Sequence, residues 1–200
     1  MAPAQTAVVT QECQGAVVGP GARLVELAAE AQRLAIPNLA RLLPVARSAG
    51  VEVLHCVVHR RPDGRGSSGN ARLFAAAQAL GLDLDPDGPG GAVVPELGPE
   101  PSDVVLSRYH GVGPMSGTDL DIVLRNLGVR TVVVTGVSVN VAVTNAVMDA
   151  VNLGYDVVLP RDAVAGVPAE YADAVIDHTL SLLATITTTD DLIAAWSRGS

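Results

Sequence analysis

The sequence predicts an α/β domain in three layers, with a six-stranded, mostly parallel, doubly wound sheet held between two layers of helices. Three observations predict it. Strand-like and helix-like segments alternate from one end of the chain to the other, the order that right-handed crossovers turn into a parallel sheet covered on both faces. The run Thr131 to Ala163, TVVVTGVSVNVAVTNAVMDAVNLGYDVVLPRDA, joins a strand, a turn, a helix and a second strand without a gap. Hydrophobic residues make up 48% of 200 positions with no break in composition, so residues 1–200 are expected to form one domain around a sizeable core.

Each element follows from its pattern. Ala7 to Thr10 is a short first strand, and helical spacing of apolar residues runs from about Leu24 to Ser48, with a break expected at Pro37. Val51 to Val58 is the second strand. Arg60 to Asn70, RRPDGRGSSGN, is a polar loop, Ala71 to Leu80 a short helix, and Leu82 to Ser102 a long loop rich in Pro, Gly and Asp, of a length that tends to be functional. Val104 to Leu106 is the third strand. Thr118-Asp-Leu-Asp121 reads as a capping box opening a helix that stops at Gly128. Val132, Val133 and Val134 are the apolar run of a strand buried on both faces, and Gly136 permits a sharp turn. Val139, Val143, Ala146, Val147 and Ala150 then recur at helical spacing up to Gly154, and Tyr155 to Leu159 is the next strand. Glu170 to Leu183 is a helix, Ala184 to Thr187 the last strand, and Asp190 is placed to cap the final helix.

Composition excludes several classes of function. The formal net charge of −8 comes from scattered acidic residues and argues against nucleic acid or an anionic membrane as partner. All thirteen basic residues are arginines, so no lysine is present to act as acid, base or Schiff-base amine. Cys13 and Cys56 read as small buried fillers with no disulfide between them. The opening MAPAQTAVV has no basic region, and no apolar run approaches the ~18 residues of a membrane span, so a cytoplasmic protein is expected. His55 and His59 share a strand face about 13 Å apart, too far for one ion. His178 reads as a solvated helix residue. Neither a metal nor another cofactor is expected.

Three segments resemble the isochorismatase-like, or cysteine hydrolase, superfamily, and the likeness covers nearly the whole chain. AVVTQECQGAVV is similar to the family's opening strand with its Asp-x-Gln, which puts Glu12 at the Asp and Gln14 at the Gln. VVLSRYHGVGPMSGTDLDIVLRNLGVRTVVVTGVS is similar to the strand that carries the family's lysine, and Arg108 stands there. The family's cysteine nucleophile lies six residues after a turn glycine. Counted from Gly136, that position is Ala142, which has no nucleophile.

The resemblance implies the fold already predicted and a site at Glu12, Arg108 and Ala142. Gln14, His110, Gly136, Ser138 and Asn140 are assigned to substrate binding. Glu12 keeps a carboxylate on a side chain one methylene longer. Arg108 keeps the charge, but a guanidinium cannot pass a proton as a lysine can. Two functions stay open. One is hydrolysis without a thiol, in which Glu12 protonates a small carboxylated, isochorismate-like substrate, Arg108 clamps its carboxylate, and amides after Gly136 hold developing charge. The other is a catalytically silent homologue that binds a small anionic metabolite or serves as an assembly subunit. A homo-oligomer is expected in either case.

Overall fold

A computed structural model describes residues 1–197, so the last three positions of the expected 1–200 domain lie outside the described residues. The chain alternates as its pattern requires. Strand β1 (Thr6–Gln11) leads through α1 (Gly15–Val18) and α2 (Val25–Glu30) into α3 (Ile36–Ser48) and β2 (Glu52–Val58). Helix α4 (Arg72–Ala79), β3 (Val104–Arg108), α5 (Leu120–Asn126), β4 (Thr131–Val137) and α6 (Thr144–Asn152) follow. The remainder is β5 (Asp156–Pro160), β6 (Val164–Ala165), α7 (Ala169–His178), β7 (Thr185–Thr187) and α8 (Thr189–Ser197).

The main sheet runs β3-β2-β1-β4-β5-β7, with every strand pair parallel. These are the six strands expected, and the two-residue β6 adds a seventh by pairing with the end of β4. Alternation along the strands builds two cores. Ala7, Val9, Val132 and Val134 face α5, α6 and α7, while Val8, Val53, Val133 and Val137 face α3 and α8, where Trp196 is fully buried. From β1 the chain winds towards β2 and β3, and from β4 towards β5 and β7. The neighbours β1 and β4 therefore form the switch point, and the crevice past their carboxyl ends is where such sheets hold ligands.

Several local expectations are corrected. Pro37 does not break its helix, because Ala31–Ala35 form a wide π turn that joins α2 to α3 and relieves the clash a proline ring makes in a regular helix. Asn38 Nδ2 donates to the Leu34 carbonyl (3.1 Å) across that join. The capping box at Thr118 does not close. Thr118 Oγ1 accepts from Leu120 N at 3.2 Å, but the Asp121 carboxylate is drawn away to Arg125 and to Tyr155 Oη. At α8 it is Thr188 whose hydroxyl accepts from Asp191 N (3.2 Å), while Asp190 is turned outward to Arg41. Helix α7 ends at His178, and a 3-10 turn, Leu180–Leu182, takes up the rest of the segment expected to be helical.

Gly136 lies inside β4 rather than at a turn. It has φ of +92°, and a Cβ there would overlap the backbone of Gln11 on β1, so glycine is required by close approach of two strands. The chain leaves the sheet two residues later, at Ser138. Both cysteines are buried and free. No helix among the described residues is long and apolar enough to cross a membrane.

Candidate active site

A cleft of about 680 Å³ opens at the carboxyl ends of β1, β2, β3 and β4. Its floor is Glu12, Arg108, Ser138, Asn140 and Ala142, with His59 and His110 beside them. Apolar side chains of Leu24, Leu27, Phe74, Leu82 and Leu84 form the outer wall. That volume suits a small molecule.

Glu12 is the first residue past β1 and has φ of +53°, the one non-glycine residue with positive φ among those described. Its amide donates to the Cys56 carbonyl on β2 (2.8 Å), which fixes this unusual conformation at the strand end. The side chain meets Arg108, the last residue of β3. Arg108 Nη2 donates to Glu12 Oε1 at 2.5 Å, and Gln11 Nε2 donates to the same oxygen at 3.2 Å. Glu12 Oε2 has no partner among the described residues. A carboxylate held by one oxygen and open at the other is arranged to exchange a proton with something in the cleft.

Arg108 is only 5% exposed. Its Nε donates to the Gly111 carbonyl (3.3 Å), and its Nη1 is buried without a partner. Nη2 holds Glu12, which Arg108 positions and charge-balances, and the donors still uncommitted on the guanidinium are those of Nη1 and the second hydrogen of Nη2.

Ala142 is buried on the cleft wall, in the π turn Val139–Val143 that opens α6. Ser138 is half-buried there, its carbonyl accepting from Val141 N (3.2 Å) and Val143 N (3.0 Å), and its hydroxyl has no partner among the described residues. Asn140 Nδ2 donates to the Val167 carbonyl at 2.7 Å, and its Oδ1 is buried without a partner. His110 is exposed at the mouth, with its ring against Gly117.

Two expected contacts fall elsewhere. Gln14 is fully buried and braces the site from below: its Nε2 donates to the carbonyls of Val58 (2.9 Å) and Gly90 (3.1 Å), and its Oε1 accepts from Val58 N (2.7 Å). Gly136 serves strand packing and does not line the cleft.

No thiol reaches the cavity. Burial and the charge of Glu12 push Cys13 up to about 12, and burial pushes Cys56 up to about 12 against the pull of Arg108. At neutral pH neither is a thiolate, the form a nucleophile requires.

His59, considered in the sequence only as a metal ligand paired with His55, lines the cleft. It lies one residue past β2, 7% exposed, with its ring edge-on to Tyr109 at 5.9 Å. Its Nε2 faces the Gly91 carbonyl at 3.1 Å, and since a carbonyl only accepts, Nε2 carries the hydrogen. Its Nδ1 is buried without a partner among the described residues. The strand-end position that marks Glu12 and Arg108 marks His59 equally. His55, by contrast, is buried mid-sheet between Thr10 and Asp103, and among the described residues no three His, Cys, Asp or Glu side chains gather around a point that could hold a metal ion.

The long loop after α4 is zipped onto the residues following β1. Gly15 N donates to the Ala92 carbonyl (2.9 Å), Ala16 N to that of Gly90 (2.9 Å) and Val94 N to that of Cys13 (3.0 Å). Gly15 allows the approach, because a Cβ there would overlap the Pro89 carbonyl, while Gly90 and Gly91 let the loop fold back on its own Asp83 and Asp85 carbonyls.

Comparison with known proteins bears on this geometry. The model of the isochorismatase domain matches residues 6–191. The chain belongs to the isochorismatase family. It is 30% identical over 177 residues to the ureidoacrylate amidohydrolase RutB of Agrobacterium fabrum (strain C58), which covers 80% of this chain and 76% of that protein. It is also 30% identical over 127 residues to the isochorismatase family protein YecD of Escherichia coli O157:H7, covering 60% of this chain and 66% of YecD. Among solved structures, a cysteine hydrolase from Pseudomonas syringae pv. phaseolicola 1448A superposes with a TM-score of 0.87 at 25% identity, covering 100% of this chain and 96% of that one. An isochorismatase family protein from Desulfovibrio vulgaris gives 0.81 at 27% identity, covering 97% and 99%.

Proposed function

We propose that this isochorismatase-family hydrolase works without a cysteine nucleophile, and that Glu12 transfers the proton in the cleavage of a small carboxylated substrate. The observation that carries the reading is the half-occupied carboxylate of Glu12 in the cleft lining, held by Arg108 on one oxygen and bonded to no described residue on the other. For a vinyl ether such as isochorismate, Glu12 Oε2 in its protonated form gives its proton to the terminal vinyl carbon. The ether oxygen stabilises the resulting cation. Water adds to the oxygen-bearing carbon, its proton passing back to Glu12, and the resulting hemiketal breaks its bond to the alkoxy group to give a ketone and an alcohol. Arg108 keeps Oε1 in place throughout and stabilises the charge that appears on Glu12 when the proton leaves.

RutB is named for hydrolysis of an amide, chemistry that a thiol would open by forming a thioester. Ala142 stands where the family resemblance places that thiol, and Cys13 and Cys56 are enclosed in the cores with their ionisation suppressed. The absent nucleophile also favours a second reading, a homologue that binds its ligand without turning it over.

Purified protein assayed for product release from isochorismate and from ureidoacrylate, before and after treatment with iodoacetamide, separates these readings. Turnover of the vinyl ether, unchanged by alkylation, is expected. Alkylation-sensitive turnover of ureidoacrylate would overturn the thiol-free reading, and saturable binding with no turnover above buffer would establish the second.

A further inference from the structure

Arg108 is 5% exposed and already holds Glu12, and the other acid lining the cleft, Asp63, is held by Arg61 at 2.8 Å. One cation remains. Arg60, two residues past β2, lines the same cavity, and no carboxylate pairs with it among the described residues. Its backbone N donates to the Leu84 carbonyl and its Nη2 to the Leu82 carbonyl, both at 2.9 Å. That side-chain bond takes one of five guanidinium donors and leaves the rest for a ligand. In a chain of net charge −8, a local cation of this kind offsets the repulsion an anion meets from the whole protein.

The surroundings of Arg60 describe the rest of the ligand. Leu82 and Leu84 are buried with Ala16, and Leu24, Val58 and Ala77 pack against them. Leu73 and Phe74 of α4 extend the same apolar wall along the cleft. A highly hydrated small anion would leave this wall in contact with water, whereas a ring or short hydrocarbon would cover it.

We infer that Arg60 is the anion contact of the cleft, and that the substrate class is a carboxylate carried on an apolar body. This rests on the hydrolase reading for what happens to the substrate, but binding alone tests it. Isothermal titration of benzoate, benzamide and acetate separates charge from apolar area. The wild type is expected to bind benzoate roughly tenfold more tightly than either of the others, and Arg60→Met to lose roughly tenfold in benzoate affinity with benzamide unchanged. Benzamide binding also reports that the variant is folded. Equal affinities of the wild type for benzoate and benzamide, or no benzoate binding, would overturn the inference whatever the variant does. So would an Arg60→Met protein that binds benzoate as the wild type does. If Arg60→Met loses benzoate while the wild type turns over no substrate, the anion contact stands and the hydrolase reading fails. Turnover with benzoate binding untouched by Arg60→Met gives the reverse.

Discussion

At the amino end of β3, Asp103 accepts hydrogen bonds from Arg47 Nε (3.0 Å) and Nη2 (2.7 Å), from His55 Nε2 (3.2 Å) and from Glu100 N (2.8 Å). At its carboxyl end, Arg108 gives Glu12 one bond of 2.5 Å. Both pairs join a guanidinium to a carboxylate and both are largely buried. The first uses both carboxylate oxygens and ties β3 to α3 and β2, with Thr10 completing His55 from β1. The second leaves Arg108 Nη1 buried without a partner and gives Glu12 a bond on Oε1 alone among the described residues. A buried pair whose capacity is filled is a fastener, and one left open at a strand's carboxyl end is available for chemistry.

The sharpest way to break this contrast is at Glu12. Glu12→Gln keeps the shape and removes the proton-transfer group, and turnover of the vinyl ether should fall by about 10²–10⁴-fold in steady-state assays. Asp103→Asn should do the opposite. It strands Arg47 and His55, so unfolding in urea should show a loss of about 3–5 kcal/mol, while turnover per folded molecule is unchanged. If the two variants exchange these phenotypes, the assignment of fastener and site is reversed.

The smallest effect is in pH. Burial lowers the pKa of His55 despite Asp103 beside it. Asp103 is pushed upward by burial but held below its ordinary value by Arg47, the Glu100 amide and His55. Both groups therefore bind protons more readily in the unfolded chain, and their stabilisation is lost as pH falls. Urea midpoints should begin to decline below the ordinary histidine value of 6.5 and steepen below the ordinary aspartate value of 3.8. His55→Gln should remove the first decline and keep the second.

The strands were legible because Val132, Val133 and Val134 and their counterparts must be apolar on both faces, and α6 because its inward positions keep helical spacing. Glu12, Arg108 and Ala142 were legible through the family likeness and their strand-end positions. The rest depended on contacts between distant segments. Pro37 looks like a helix breaker until the π turn before it is seen, and Gly136 looks like a turn until β1 is found against it. Gln14 looked like a substrate contact because nothing local shows that Val58 and Gly90 take its amide. Arg60 and His59 acquire roles only once the loop around residues 82–91 folds over them.

That loop also sets how this protein could change. A methyl group would collide with a loop carbonyl at Gly15, where the loop is anchored, and at Gly90 and Gly91, where it folds on itself, so these three positions are closed to ordinary substitution. Leu82, Leu84 and the solvent-facing Asp87 and Pro89 carry no such constraint. A lineage or a designer seeking a new substrate is left with the side chains between the anchors and with the length of the segment before them. The shape of the cavity can drift while its mounting stays fixed.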